Sequence, residues 1–368
     1  MKNREAYFDQ LRVLAIFSIV CCHVSAGFLT KNVDLMMHAK TFYSTLLVNS
    51  GRFIGVPMFV MLSGALLINK NYSLSTFVKK RLNRVFVPFI FWVIIFILFS
   101  VVFLHESLTY DLVFKVFFGL KGSIGTILWF IWMLMIVYIA IFIINKLLEY
   151  AKSRSYEQKC INALVAASLI CYIVYNLIHI PYEMISYYCL FIPYAIFGYY
   201  LTHAEFTHMK MASFNITAKR IVISASVLSV ICYLYFVMTV YLKSIAMNNF
   251  FSASYFDFAA ILFNFSIMLF FRYLPKSEGA VSKKVNAFLT SGHMAKAILS
   301  VSLCSYGIYF VHYLILTTLQ VLYLYSVSYL NHPTFWVPVL VVVVFLSSWA
   351  VIWIISKVPY LNKVSGAS

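Results

Sequence analysis

Residues 8–29 read FDQLRVLAIFSIVCCHVSAGFL, with no proline and only three side chains of the acidic, basic or imidazole kind. A helix rises about 1.5 Å per residue, so about 20 apolar residues cross the hydrocarbon core of a bilayer. The apolar residues of this run do not alternate, and the run is too long for a strand. It reads as a membrane-spanning helix. It does not read as a cleaved signal, because charge lies inside it and no clear small-residue cleavage site follows.

Working outward, nine more runs of this kind follow, at about 50–68, 85–104, 126–147, 161–180, 184–202, 220–242, 253–273, 298–325 and 335–356. Composition agrees. Of 368 residues, 63% are hydrophobic and 11% charged, against about 45–50% and about 25% in an ordinary soluble domain. With 35 Phe and 27 Tyr besides, the chain has too little polar surface to meet water on all sides. Soluble enzymes, disordered chains, collagen and secreted disulfide scaffolds are excluded. The expected fold is all-α: a polytopic bundle of ten transmembrane helices forming one integral-membrane domain over residues 1–368, with no fused soluble domain, repeat or low-complexity stretch.

The charge balance orients this bundle. There are 28 Lys and Arg against 11 Asp and Glu, a formal net charge of +17. With the N-terminus inside, one set of loops carries twenty-one of the basic residues and the opposite set five, while Arg12 and Arg52 fall within or at the ends of spans. Basic residues collect in cytoplasmic loops, so this split places both termini in the cytoplasm. It also assigns the basic excess to the membrane surface, with no nucleic-acid partner. Seven cysteines show no C-x-x-C and no Cys/His spacing suited to zinc, so free thiols and no metal site are expected.

Ionisable residues inside spans are costly and mark function by default. The first run holds Asp9, Arg12 and His23. At about 100° per residue, Arg12 and His23 fall about 20° apart around the axis and about 16 Å apart along it, with Asp9 on the same side. One reading makes Asp9 and Arg12 an i,i+3 pair anchoring the helix end; the other makes all three part of a groove. In the second run, Gly55, Pro57, Ser63 and Gly64 allow a kink and close helix approach. The stretch KKRLNRVFVPF puts Lys79, Lys80, Arg81 and Arg84 at the cytoplasmic side. These residues suit lipid phosphates, or a guanidinium fork for a phosphate-rich cytosolic ligand, and composition does not choose between the two. Trp129 suits an interface belt, Glu183 and Asp257 a position near the outer surface, and His312 lies deep in the ninth run.

Together these residues resemble acyltransferase family 3, the integral-membrane acyltransferases that modify bacterial surface polysaccharides and other extracytoplasmic acceptors. Asp9, Arg12 and His23 match its D-x-x-R and R-x10-H pattern; Pro57, Phe59, Ser63 and Gly64 resemble its helix-two segment ending in Ser-Gly. Arg81 and Arg84 match its R-x-x-R, followed by Pro88. Trp129 and Phe130 resemble its LWF segment, Gly307, Tyr309 and His312 its GIY-x-x-H, and SKVPYLNK its usual ending. The order of these strings along ten spans makes the resemblance specific, and it is nearest to the short O-acetyltransferases without a fused esterase-like domain.

The resemblance implies a bacterial plasma-membrane enzyme that moves an acyl group, acetyl above all, from cytosolic acetyl-CoA or another acyl-CoA to a hydroxyl of a glycan or lipid-linked glycan. Arg12, Arg81, Arg84 and Lys80 would hold the acyl-CoA. His23 would act as general base, with Asp9 beside it in the catalytic set. Ser63, Trp129, Tyr309 and His312 would position the acceptor, orient the base or stabilise the oxyanion. No metal takes part. A transporter or flippase of lipid-linked sugars is the rival, since ten helices with intramembrane charges suit it too. The partners are acyl-CoA, the glycan acceptor and the bilayer, and tyrosine-rich faces leave a homo-oligomer open.

Overall fold

The computed structural model describes residues 5–31, 39–178, 184–207, 210–211, 214–247, 254–322 and 332–367. Glu183 lies outside them. Among the described residues, ten helical stretches are long and apolar enough to cross a membrane. In order they are Ala6–Leu29, Ser44–Leu67, Leu74–Val102, Ile124–Ser153, Glu157–Ile178, Met184–His203, Ala218–Met247, Phe258–Lys276, Gly292–Leu322 and Pro333–Ile355. Each expected run has its helix. The chain is all-α; the antiparallel pairing of Lys210–Met211 with Phe214–Asn215 is a two-residue ladder in a loop.

The second span lies at the heart of the bundle, and its sequence explains how. Gly64 faces the sixth span so closely that a Cβ there would lie 1.9 Å from the Ala195 carbonyl oxygen. Gly198 of the sixth span returns the contact, with a Cβ 2.0 Å from the Met61 carbonyl. Two glycines thus let two backbones touch, as small residues do between membrane helices. Gly55 makes the same accommodation to Ile19 and Ala15 of the first span.

Helix breaks at membrane depth need substitute hydrogen-bond partners. The second span is broken at Gly51, between helices Ala39–Ser50 and Arg52–Leu67; beside the break, the Tyr233 hydroxyl donates to the Leu47 carbonyl. Pro57 has no N–H to offer the Phe53 carbonyl four residues earlier. Asn264 of the eighth span supplies it, donating through Nδ2 at 2.8 Å. In the third span an α-helix over Leu74–Arg81 passes through a π turn at Leu82–Phe86 into Val87–Val102. Pro88 accounts for the irregularity, since its ring crowds the Arg84 carbonyl and leaves it without an α-helical partner.

The fifth, seventh and tenth spans lie at the periphery and turn apolar side chains such as Leu177, Val230 and Val342 outward, as a chain dissolved in lipid requires. The segment after the tenth span folds back beneath the third and ninth. There the Trp92 indole donates to the Ser365 carbonyl at 3.2 Å, and Gly307 leaves room for that carbonyl.

Candidate active site

The first and ninth spans meet along a seam that carries polar contacts at two levels. At one level, Asp9 is buried, pairs with Arg12 at 3.0 Å and accepts the Ser302 hydroxyl at 2.6 Å. At the other, the rings of His23 and His312 lie 5.2 Å apart, with Tyr313 5.4 Å from His23. Both contact pairs ascend the two chains together, so the first and ninth spans run in the same direction, as an even number of intervening reversals demands.

The first helix is continuous over Ala6–Lys31, which separates Asp9 from His23 by about 21 Å along the axis. Asp9 therefore does not share one proton transfer with His23 and acts on the site by way of Arg12. The carboxylate serves Arg12, whose guanidinium it fixes at one end of the face that carries His23.

His23 is half-buried, whereas His312 has no exposed surface. His312 Nδ1 lies 3.0 Å from the Ile308 carbonyl oxygen. A carbonyl only accepts, so Nδ1 carries the proton of the neutral ring and Nε2 is left as a bare acceptor. That Nε2 is buried without a partner among the described residues. A ring held this way presents a lone pair. It suits orienting a base and has no proton for an oxyanion.

The other expected oxyanion donors are engaged with backbone. The Ser63 hydroxyl donates to the Phe59 carbonyl at 2.9 Å, and the Tyr309 hydroxyl donates to the Ile127 carbonyl. Tyr309 thereby ties the ninth span to the 3-10 turn Ile124–Leu128 at the head of the fourth, where Phe130 packs 5.1 Å from its ring. Trp129 stacks on Tyr188 at 6.0 Å beside Tyr187 and Phe191. It belongs to an aromatic wall adjoining Tyr309.

The basic cluster sits on the first part of the third span. Arg81 is half-buried, with its guanidinium carbon 5.4 Å from the centre of the Tyr138 ring and 5.9 Å from that of Phe77. Its Nε is buried without a hydrogen-bond partner among the described residues. Arg84 lies in the π turn and is exposed; Lys80 is exposed with its ammonium 4.2 Å over the Tyr72 ring. A π turn holds more residues per turn than an α-helix. The step from Arg81 to Arg84 therefore rotates through a smaller angle than an α-helix gives, and the pair is splayed further than a simple i,i+3 fork.

Three residues of this region escaped the sequence reading. Ser302 and Tyr313 flank the family-like GIY-x-x-H string without belonging to it. Asn49 donates to the Cys22 carbonyl at 3.3 Å and to Ser25 Oγ at 3.0 Å, fixing the second span against the first beside His23. Buried polar residues in an apolar run were the available signal.

Among the described residues no group of three or more His, Cys, Asp or Glu side chains is arranged to hold a metal ion. A family model described as an acyltransferase domain matches residues 5–353, nearly the whole chain. No curated protein and no solved structure matches it.

Proposed function

The chain belongs to acyltransferase family 3, and from that premise we propose that this multi-pass membrane acyltransferase moves an acetyl group from cytosolic acetyl-CoA to a hydroxyl of a cell-surface glycan or glycolipid in the bacterial plasma membrane. What carries the reading, beside the family, is one helix face with a fixed guanidinium at Arg12 and a half-buried imidazole at His23.

Arg81, Arg84 and Lys80 take the anionic nucleotide end of the donor, through charge-assisted contacts to its phosphates. Arg12, held by Asp9, meets the donor at the entrance to the bundle. The pantetheine arm then runs along the face towards His23, about 16 Å further on. A hydroxyl is a weak nucleophile near neutral pH, so His23 removes its proton as the oxygen attacks the thioester carbonyl. The tetrahedral intermediate collapses with loss of the CoA thiolate, which takes the proton back from the imidazolium. Trp129 and its aromatic neighbours line the approach of the acceptor. Ser63 and Tyr309 serve the oxyanion only by releasing the carbonyls they now hold.

The test is purified protein incubated with acetyl-CoA labelled in the acetyl group and a panel of surface glycans and lipid-linked glycans. Label is expected in a glycan as a base-labile ester, and His23→Ala is expected to bind acetyl-CoA normally without forming it. Wild-type transfer by His23→Ala would remove the catalytic assignment. Arg81→Gln is expected to weaken acetyl-CoA binding about tenfold, or about 1.4 kcal/mol, as read by titration of the purified protein.

A further inference from the structure

The ninth span carries a buried nitrogen without a partner among the described residues, next to the imidazole proposed as base. We propose that His312 is the positioning residue of His23: its Nε2 accepts an N–H from the His23 ring, so that the other His23 nitrogen is left bare and aimed at the acceptor hydroxyl.

The His312 ring is fully buried and is fixed at Nδ1 by the Ile308 carbonyl at 3.0 Å. The only tautomer that bond allows in a neutral ring places a lone pair at Nε2. The two ring centres lie 5.2 Å apart. An N–H···N bond of about 3 Å between facing imidazoles needs ring centres about 5 Å apart. Closing the bond therefore takes a turn of the His23 ring, with His312 held on the Ile308 carbonyl.

A buried acceptor left unsatisfied is destabilising, and a purely structural residue at this position has no reason to carry that cost. The cost is removed when His23 donates. The arrangement has the logic of a nucleophile's base being oriented by a third group, with an imidazole lone pair in the place that a carboxylate commonly fills. When His23 takes the hydroxyl proton, the resulting imidazolium keeps its second N–H on His312 Nε2. The positive charge is stabilised there until the departing thiolate removes the transferred proton. The thioester C–S bond breaks, the ester C–O bond forms, and the proton passes from hydroxyl to thiol by way of His23 alone. His312 exchanges no proton.

The proposal rests on His23 being the base, and the experiment separates the two. Protein with 15N-labelled imidazoles is placed in lipid nanodiscs with CoA bound, and the His312 signals are identified by their loss in His312→Gln. The expected spectrum has a protonated Nδ1 and a bare Nε2 on His312, with a coupling across the N–H···N bond to His23. A proton on His312 Nε2, or no coupling to His23, overturns the proposal whatever the activity shows. In parallel, acetyl-CoA hydrolysis, with water in place of the acceptor, is followed for four proteins. His312→Phe should lower kcat about a hundredfold with little change in the KM for acetyl-CoA. His312→Gln, whose amide reaches the Nε2 position with an acceptor oxygen, should recover to within about threefold of wild type. Equal losses in Phe and Gln variants, or no loss in either, overturn the positioning role while an inactive His23→Ala leaves the base in place. A fully active His23→Ala removes both.

Discussion

The two ends of the seam between the first and ninth spans are built from the same helices and are left in opposite states. At the Asp9 end the carboxylate is buried, paired with Arg12 and bonded to Ser302. At the His23 end one imidazole is half-buried and its neighbour keeps a nitrogen without a partner among the described residues. A buried charge persists only when its partners are supplied, so the first end is finished as the helix pair folds. A neutral imidazole tolerates an open valence at much lower cost, and so the second end can be kept ready for a substrate. The contrast teaches that a polar group in a membrane bundle is read by what its partners leave over, more than by its own type.

This contrast can be broken by substitution, most strongly at the open end. His23→Ala is expected to lower acyl transfer by a factor on the order of 10² to 10⁴, the range of a general base, with a near-normal melting temperature; a large loss of thermal stability would mean that the open end is structural after all. At the finished end the signs reverse. Asp9→Ala should cost about 3 kcal/mol of stability by leaving Arg12 without its buried counter-charge, visible as a lower unfolding temperature in detergent. A small, comparable effect of His23→Ala and Asp9→Ala on unfolding would erase the distinction.

Smaller effects sharpen it. Ser302→Ala removes a hydrogen bond to a charged group and should cost about 2 kcal/mol, and in an Asp9→Ala background the same change should cost much less, since the two share one carboxylate. Asn49→Ala, which loses bonds to the Cys22 carbonyl and Ser25 beside the open end, should cost about 1 kcal/mol. A greater loss from Asn49→Ala than from Ser302→Ala would mean that the His23 end is the more tightly held of the two.

The architecture was legible because lipid imposes one rule everywhere: a span must be apolar for its full length and helical throughout. Among the described residues, all ten runs carry a helix long and apolar enough to cross. Where one is interrupted, as at Gly51, the break lies inside the protein rather than against lipid. The shared side of Arg12 and His23 was legible too, because a helix of fixed pitch turns sequence spacing into direction. What could not be read were contacts whose partners lie far off in the chain. Pro57 announces a kink, but nothing near it names Asn264, 211 positions from Phe53, as the donor that repairs it. Asp9 announces a charge in need of company, and Arg12 supplies a local answer that conceals Ser302. The π turn at Leu82–Phe86 reshapes Arg81 and Arg84 through a proline that a sequence reader takes only as a helix boundary. His312 stood out by depth, but its tautomer follows from one carbonyl's direction.

The paired glycines where the second and sixth spans cross have a consequence for how this sequence can drift over evolutionary time. Neither position has a home for even a methyl group, since the obstacle on each side is the other helix's backbone and no rotamer can move it aside. Replacement at one cannot be repaired by shrinking the other, which is already glycine. Gly64 and Gly198 are therefore fixed individually, while Leu66 nearby, facing outward, is free to vary among apolar residues. A homologue with a larger residue at either position must have separated the two helices, and with them the walls around Ser63.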